Sequence, residues 1–297
     1  MNELTIFQCF PAYQPAATTR IINSIPESQA KILIDLEDSI SDFENPGLSV
    51  QMKEKARVDL KLILSGISRQ KVSLRINSVN SDDYLKDKVL LHTFADRFEY
   101  VFVPKTTGAA DILKLYNEFG NLFRICPIVE SKSGMENLPS LIELKTWIEI
   151  EFIFFGNYDY HLDQDKYPIT EQCDPGYWEL ILPMIRMLES AGINFGNSPY
   201  ANIGDLETIK HIYHQLKHIC SRRFACVTLH RTQTEQLNNL LSGKSNSTFR
   251  ENLSNQQVSV TEMFKAGKLK GRSFAFNRNM QIITPQEYIL SGKHAHK

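Results

Sequence analysis

The sequence predicts an α/β protein of the (β/α)8, or TIM-barrel, class with a C-terminal extension. About eight short apolar, β-rich runs alternate with helical patterns over roughly the first 240 residues, which is the rhythm of a closed parallel sheet. The length of 297 residues is long for an ordinary single domain but normal for this one. No Gly-x-Gly-x-x-Gly follows the first strand, which argues against the alternative, an open dinucleotide-binding sheet.

The first predicted strand is Leu4 to Cys9, stopped by Pro11, and a modest helix follows over Ala16 to Ile25. Strand two, Ile32 to Ile34, runs into Asp35, Glu37 and Asp38. Residues 41 to 50 carry Pro and Gly and read as a loop before a helix over Val50 to Ser65, with Met52, Ala56, Leu60 and Leu64 on one face. Strand three, Val72 to Ile76, carries Arg75 near its end and Asn77 just beyond. Ser81 suits the cap of the next helix, with Asp82 and Asp83 in its first turn. Strand four, Tyr100 to Val103, closes on Pro104 and Lys105, and the helix from Ala109 to Phe119 ends at Gly120.

Strand five, Ile125 to Val129, runs into Glu130, and strand six, Phe152 to Phe155, passes Gly156 into Asn157 and Asp159. The helical pattern between them makes the two strands parallel neighbours. Pro175 to Ser190 reads as a helix with Pro175 at its start. Strand seven, Ile193 to Phe195, a helix over Asp205 to Cys220, and strand eight, Phe224 to Leu229, ending at His230 and Arg231, complete the series. Residues 1 to 240 are therefore expected to form the barrel. Ser242 to Gln257 is polar and reads as a linker, with a glycosylation-like sequon at Asn246. Val258 to Leu290 holds enough apolar residues to dock as a lid or an oligomer arm.

Hydrophobic residues make up 42% of the chain and charged residues 23%, enough for a core and a hydrated surface. The formal charge is −1, with 33 basic against 34 acidic residues, so nothing draws nucleic acid or an anionic membrane wholesale. The five cysteines are scattered and form no Cys-x-x-Cys. That speaks against a disulfide framework or zinc knuckle and for a reducing cytoplasm. Cys9 and Cys126 fall inside strands, as buried inert thiols do. No apolar run reaches the roughly 18 residues of a membrane helix, and the N-terminus has no basic, apolar leader.

Six of the eight predicted strands deliver polar residues to the same rim: Asp35, Glu37 and Asp38; Arg75 and Asn77; Lys105; Glu130; Asp159; His230. In a barrel that rim is where active sites are built. The bland alternative is a structural ion-pair network, because such groups are costly unless paired. Glu130 and Asp159, at like ends of adjacent strands, suit a hard cation. Either could also cap the helix that follows it.

The ordered strings LIDLEDS, KEKAR, LRIN, VPK, VESKSG and FGNYDY, spread over about residues 5 to 235, resemble the citrate lyase β-subunit-like family, also called the HpcH/HpaI aldolase family. The resemblance implies an α/β barrel, usually trimeric or hexameric, that uses Mg²⁺ to cleave or form carbon–carbon bonds in small hydroxy- or oxo-acids or their CoA thioesters. It implies that Glu130 and Asp159 ligate the metal, that Arg75 holds the substrate carboxylate or enolate oxygen, and that Glu37 and Asp38 stand beside the metal. Mg²⁺ takes one or two carboxylates plus water and an anionic ligand. A guanidinium and a cation aimed at an enolate oxygen supply electrostatic stabilisation. Lys105 is a further candidate as salt-bridge partner or site residue, with a Schiff-base role disfavoured. His230 and His161 read equally well as wall histidines. Cys9-Phe10-Pro11-Ala12 and Leu229-His230-Arg231 depart from the turns of CoA-utilising relatives, which keeps two alternatives open: an aldolase for a free or phosphorylated 2-oxo acid, and a non-catalytic barrel serving as a binding or assembly subunit.

Overall fold

A computed structural model describes residues 3–42, 44–243, 275–276 and 281–294. Eight parallel strands close into a barrel in sequence order: β1 (Leu4–Pro11), β2 (Lys31–Asp35), β3 (Val72–Arg75), β4 (Phe98–Val103), β5 (Arg124–Val129), β6 (Phe152–Phe155), β7 (Asn194–Asn197) and β8 (Phe224–Thr228). β1 pairs with β2 on one side and β8 on the other, which closes the ring. The helices between them are α1 (Pro15–Asn23), α2 (Pro46–Gly66), α3 (Asp82–Phe94), α4 (Ala109–Phe119), α5 (Lys132–Glu136), α6 (Leu138–Glu143), α7 (Asn157–Asp163), α8 (Pro175–Ser190), α9 (Leu206–Ile219) and α10 (Arg231–Leu241).

The two-residue period of each strand sorts its side chains into two shells. Ile6, Ile32, Ile34, Leu74, Val101, Ile153 and Phe195 face the helices. Phe7, Leu33, Tyr100, Phe102, Cys126, Phe152, Phe154 and Ala225 fill the barrel. Phe7 stands edge-on to Tyr100, Phe102, Phe152 and Phe154, with ring centroids 5.1 to 6.1 Å away. These rings plug the barrel and leave a cup at its C-terminal mouth. Gly196 makes room for the plug: a Cβ there would lie 2.3 Å from the Phe154 ring. One step further along the inward-facing rows come Asp35, Arg75 and Glu130, so the strand period itself aims these charges into the cup.

Most sequence-predicted elements hold to within a few residues. α2 starts at Pro46 rather than Val50, because Pro46 suits a first helical position and Asn45 caps it, its side-chain oxygen accepting from the Leu48 N–H at 3.1 Å. Two helices escaped the sequence reading, α7 and α10. Their segments, NYDYHLD and RTQTEQLNNLL, are mostly polar. The expected linker falls almost wholly outside the described residues, as does Asn246. Of the tail, a two-stranded ribbon, β9 (Ala275–Phe276) with β10 (Ile282–Ile283), and a helix, α11 (Pro285–His294), are described. All five cysteines are free; Cys126, Cys220 and Cys226 are buried, Cys9 is partly covered and Cys173 exposed. Burial pushes the Cys9 thiol up to about 12. Among the described residues, no helix is long and apolar enough to cross a membrane.

Candidate active site

Asp35 and Arg75 are direct partners in the β2–β3 register, and their side chains meet in the cup. Arg75 donates from Nε to Asp35 Oδ1 at 2.6 Å and from Nη2 to Oδ2 at 2.7 Å. Asp35 also accepts the backbone N–H groups of Glu37 and Ser39, at 2.9 and 3.1 Å. Burial alone would raise this carboxyl; the Arg75 charge and these donors outweigh it and hold it below the usual range. The two-pronged face that a guanidinium can offer a carboxylate is thus taken by Asp35. The remaining nitrogen, Nη1, faces Glu37 Oε2 at 3.2 Å and Asp38 Oδ2 at 3.6 Å.

Lys105 follows β4 with a left-handed backbone, φ 53°. Its ammonium pairs with Glu37 and lies 3.3 Å from Asp38 Oδ1. Its backbone N–H donates to Glu130 Oε1 at 2.6 Å. Burial disfavours the charged amine, but Asp38 and Glu37 more than compensate and keep it protonated far above neutrality. A neutral, nucleophilic lysine is not what this geometry provides.

Glu130 is buried at the end of β5, and Asp159 lies in the first turn of α7. Burial, then the charges of Asp159 and Glu37, push the Glu130 carboxyl well above the carboxylate range. Burial and Asp38 raise Asp159 to about 6. Burial and Asp38 raise Glu37 to about 8, whereas Lys105 and Arg75 overcome burial at Asp38 and hold it low. Gly156 is the hinge between β6 and α7, and a Cβ there would lie 2.3 Å from Glu130 Oε2. Glycine at this position lets the Glu130 side chain lie against the junction of β6 and α7. A cavity of about 330 Å³ opens over Lys105, Thr107, Glu130, Ser131, Asp159, Leu162 and Asp163. A larger groove, about 450 Å³, lies at the other end of the barrel around Asn121 and Trp147 and gathers none of these acids.

Five carboxylates, Asp35, Glu37, Asp38, Glu130 and Asp159, therefore face two cations, Arg75 and Lys105. The formal excess is three negative charges, and the raised Glu130 and Asp159 carboxyls are its symptom. A divalent cation fits that deficit. The described residues hold no cluster of three or more His, Cys, Asp or Glu arranged to hold a metal; magnesium itself takes one or two protein carboxylates together with water.

The two histidines stand apart from this cluster. His161 is buried, with Nδ1 on the Asn157 carbonyl at 2.9 Å and Nε2 accepting from the Thr170 N–H at 3.1 Å; burial lowers its pKa. His230 caps α10, its Nδ1 paired with Thr232 at 2.9 Å. Asn77 is held from behind, its backbone N–H donating to Asp87 at 2.8 Å. Sequence reasoning missed two participants. Asp35 stood among the rim acids but not as the clamp of Arg75. Gln286, on α11, donates to Asp159 Oδ2 at 2.9 Å, and no local signal in a tail of weak periodicity marks it.

The sequence profile described as HpcH/HpaI aldolase/citrate lyase matches residues 10–173. A comparison with curated protein sequences gives no significant match. Among solved structures, the chain is similar to RipC from Yersinia pestis (21% identity, TM-score 0.59, covering 82% of this chain and 96% of that one). It is similar to the citrate lyase β subunit of Mycobacterium tuberculosis complexed with oxaloacetate and magnesium (14%, 0.60, 80% and 96%). It is also similar to Haloferax volcanii malate synthase in a pyruvate/acetyl-CoA ternary complex (14%, 0.72, 98% and 89%). At these identities the structural likeness establishes the shared barrel.

Proposed function

The chain belongs to the HpcH/HpaI aldolase/citrate lyase family, and from that premise we propose that its barrel mouth is a magnesium-dependent carbon–carbon lyase or aldolase site for a small oxo- or hydroxy-acid. The observation that carries the reading is the charge deficit of the mouth: five carboxylates against Arg75 and Lys105, beside a cavity of about 330 Å³. The M. tuberculosis relative's complex with oxaloacetate and magnesium supports the same pairing of acid and ion.

In this reading Glu130 and Asp159 hold the ion. When bound, Mg²⁺ supplies a Lewis acid for the carboxylate and carbonyl oxygens of the substrate. Arg75 has two of its nitrogens fixed by Asp35, so its plane cannot swing. Its Nη1 edge, which already faces Glu37 and Asp38, is the donor that a substrate carboxylate or a developing enolate oxygen would share with them. Glu37 and Asp38 hold that edge and the Lys105 ammonium together, keeping a second positive charge on the same side of the cup. Lys105 also fixes Glu130 through its backbone N–H.

The test is proton exchange. Incubated with the enzyme and Mg²⁺ in D2O, pyruvate is expected to lose its methyl ¹H signal, and chelation is expected to stop the loss. Retention of α-protons across a panel of free oxo-acids overturns the free-acid reading. A second reading, with an acyl-CoA co-substrate, is supported by the malate synthase likeness, which extends over 98% of this chain. Release of free thiol from acetyl-CoA in the presence of an oxo-acid would select it.

A further inference from the structure

After α10 the chain returns to its own barrel mouth. Gln281 bridges to Asn202, and the Ile282 N–H donates to the Ala201 carbonyl at 2.9 Å, next to β7. From there α11 packs along α7. Leu290 is buried, Lys293 lies 3.4 Å from Asp165 and the His294 ring stacks on Tyr167 with centroids 5.8 Å apart. Tyr288 donates to Glu44, 3.3 Å away in the loop after β2. In a closed ring of eight strands, β2 and β6 lie opposite one another. A helix touching the loops beyond both therefore crosses the mouth.

That crossing delivers one amide to the site. Gln286 is buried, so its side chain needs a partner, and Nε2 donates to Asp159 Oδ2 at 2.9 Å. Among the described residues it is the one donor to this carboxylate. A bond to a carboxylate is of the stronger, charge-assisted kind, and occupying Oδ2 fixes how the other oxygen is presented.

We propose that Gln286 is a positioning residue for Asp159, which makes the C-terminal helix an integral part of the divalent-cation site. The inference rests on the magnesium reading and deepens it: the carboxylate is oriented from the far end of the chain. Groups that hold a metal-ligating side chain contribute about 10- to 100-fold to metal affinity, and that is the size of effect expected here.

Mn²⁺ binding to the full-length protein, read by water-proton relaxation, tests it without any assay of turnover. Gln286→Met keeps the length and packing of the side chain and removes the donor. It is expected to leave amide-exchange protection of α11 at the wild-type level and to weaken Mn²⁺ binding about tenfold or more. Wild-type affinity in Q286M overturns the proposal. Leu290→Ala leaves every site residue in place and loosens the helix; its Mn²⁺ affinity is expected to fall as helix protection falls. Unchanged affinity with an exchanging helix also overturns it. Asp159→Asn separates the two levels. If the wild type binds Mn²⁺ and D159N does not, failure of Q286M to weaken binding removes the Gln286 role alone. If the wild type binds no Mn²⁺, the magnesium reading and this inference fall together.

Discussion

Arg75 and Asp35 meet fork to fork at the ends of neighbouring strands, at 2.6 and 2.7 Å, with Asp35 fully buried. An ion pair of this kind is strongly destabilising to break from one side, because the remaining charge is left without a partner. Asp35→Ala is expected to cost about 3–5 kcal/mol by chemical denaturation. Arg75→Ala leaves Asp35 with backbone donors but no counter-charge and leaves Glu37 and Asp38 with Lys105 alone, so it should destabilise the fold as well as abolish turnover. A stable, folded R75A protein with wild-type activity would contradict both roles.

Gly156→Ala tests the approach of the two candidate ligands. Its Cβ would lie 2.3 Å from Glu130 Oε2 and 2.6 Å from Glu130 Cβ, so Glu130 must move. Overpacking of this sort costs about 1–3 kcal/mol. Mn²⁺ affinity by calorimetry is expected to fall for G156A and for Glu130→Gln alike, and wild-type affinity in G156A would separate Glu130 from the ion.

Protons and the metal compete for the same oxygens. Burial and neighbouring acids raise Asp159 to about 6 and push Glu130 well above its usual carboxylate range, so the folded, metal-free protein holds protons that the unfolded chain releases near pH 4. That contribution to stability is full at acid pH and is lost as pH rises through the folded values. Metal-free melting temperature should therefore decline from pH 5 to 8, and the increase on adding Mg²⁺ should grow over the same range. Thermal melts at four pH values with and without Mg²⁺ check it; a metal effect that shrinks with rising pH would be the wrong sign.

The Lys105 ammonium is stabilised by Asp38 and Glu37 against its own burial, so it should form no imine with an oxo-acid. Borohydride treatment in the presence of pyruvate is expected to leave the protein mass unchanged. Lys105→Met should lower activity through the lost charge while raising Glu37 still further, and a reduced adduct on Lys105 would replace the metal-and-arginine reading with a covalent one.

His161 is held by Asn157 and Thr170, and its replacement by leucine is expected to lower stability by about 1–3 kcal/mol, the cost of unpaired buried polar groups. Mn²⁺ affinity of the folded variant should stay at the wild-type level.

What the sequence alone determined is local. Short, continuous apolar runs gave the strands, and the acids and bases just past them gave the rim, because parallel strands in a closed ring bring all their C-terminal ends to one mouth. Asp35, Glu37, Asp38, Arg75, Lys105, Glu130 and Asp159 were all legible that way. The tertiary structure decided which of them touch. Arg75 turns its fork to Asp35 because the β2–β3 register sets the two side by side, and His161 turns to Asn157 because α7 places them one turn apart. Gln286 reaches Asp159 across 127 residues. No periodicity encodes such a contact, since it depends on where a distant segment finds a surface to bury its apolar face.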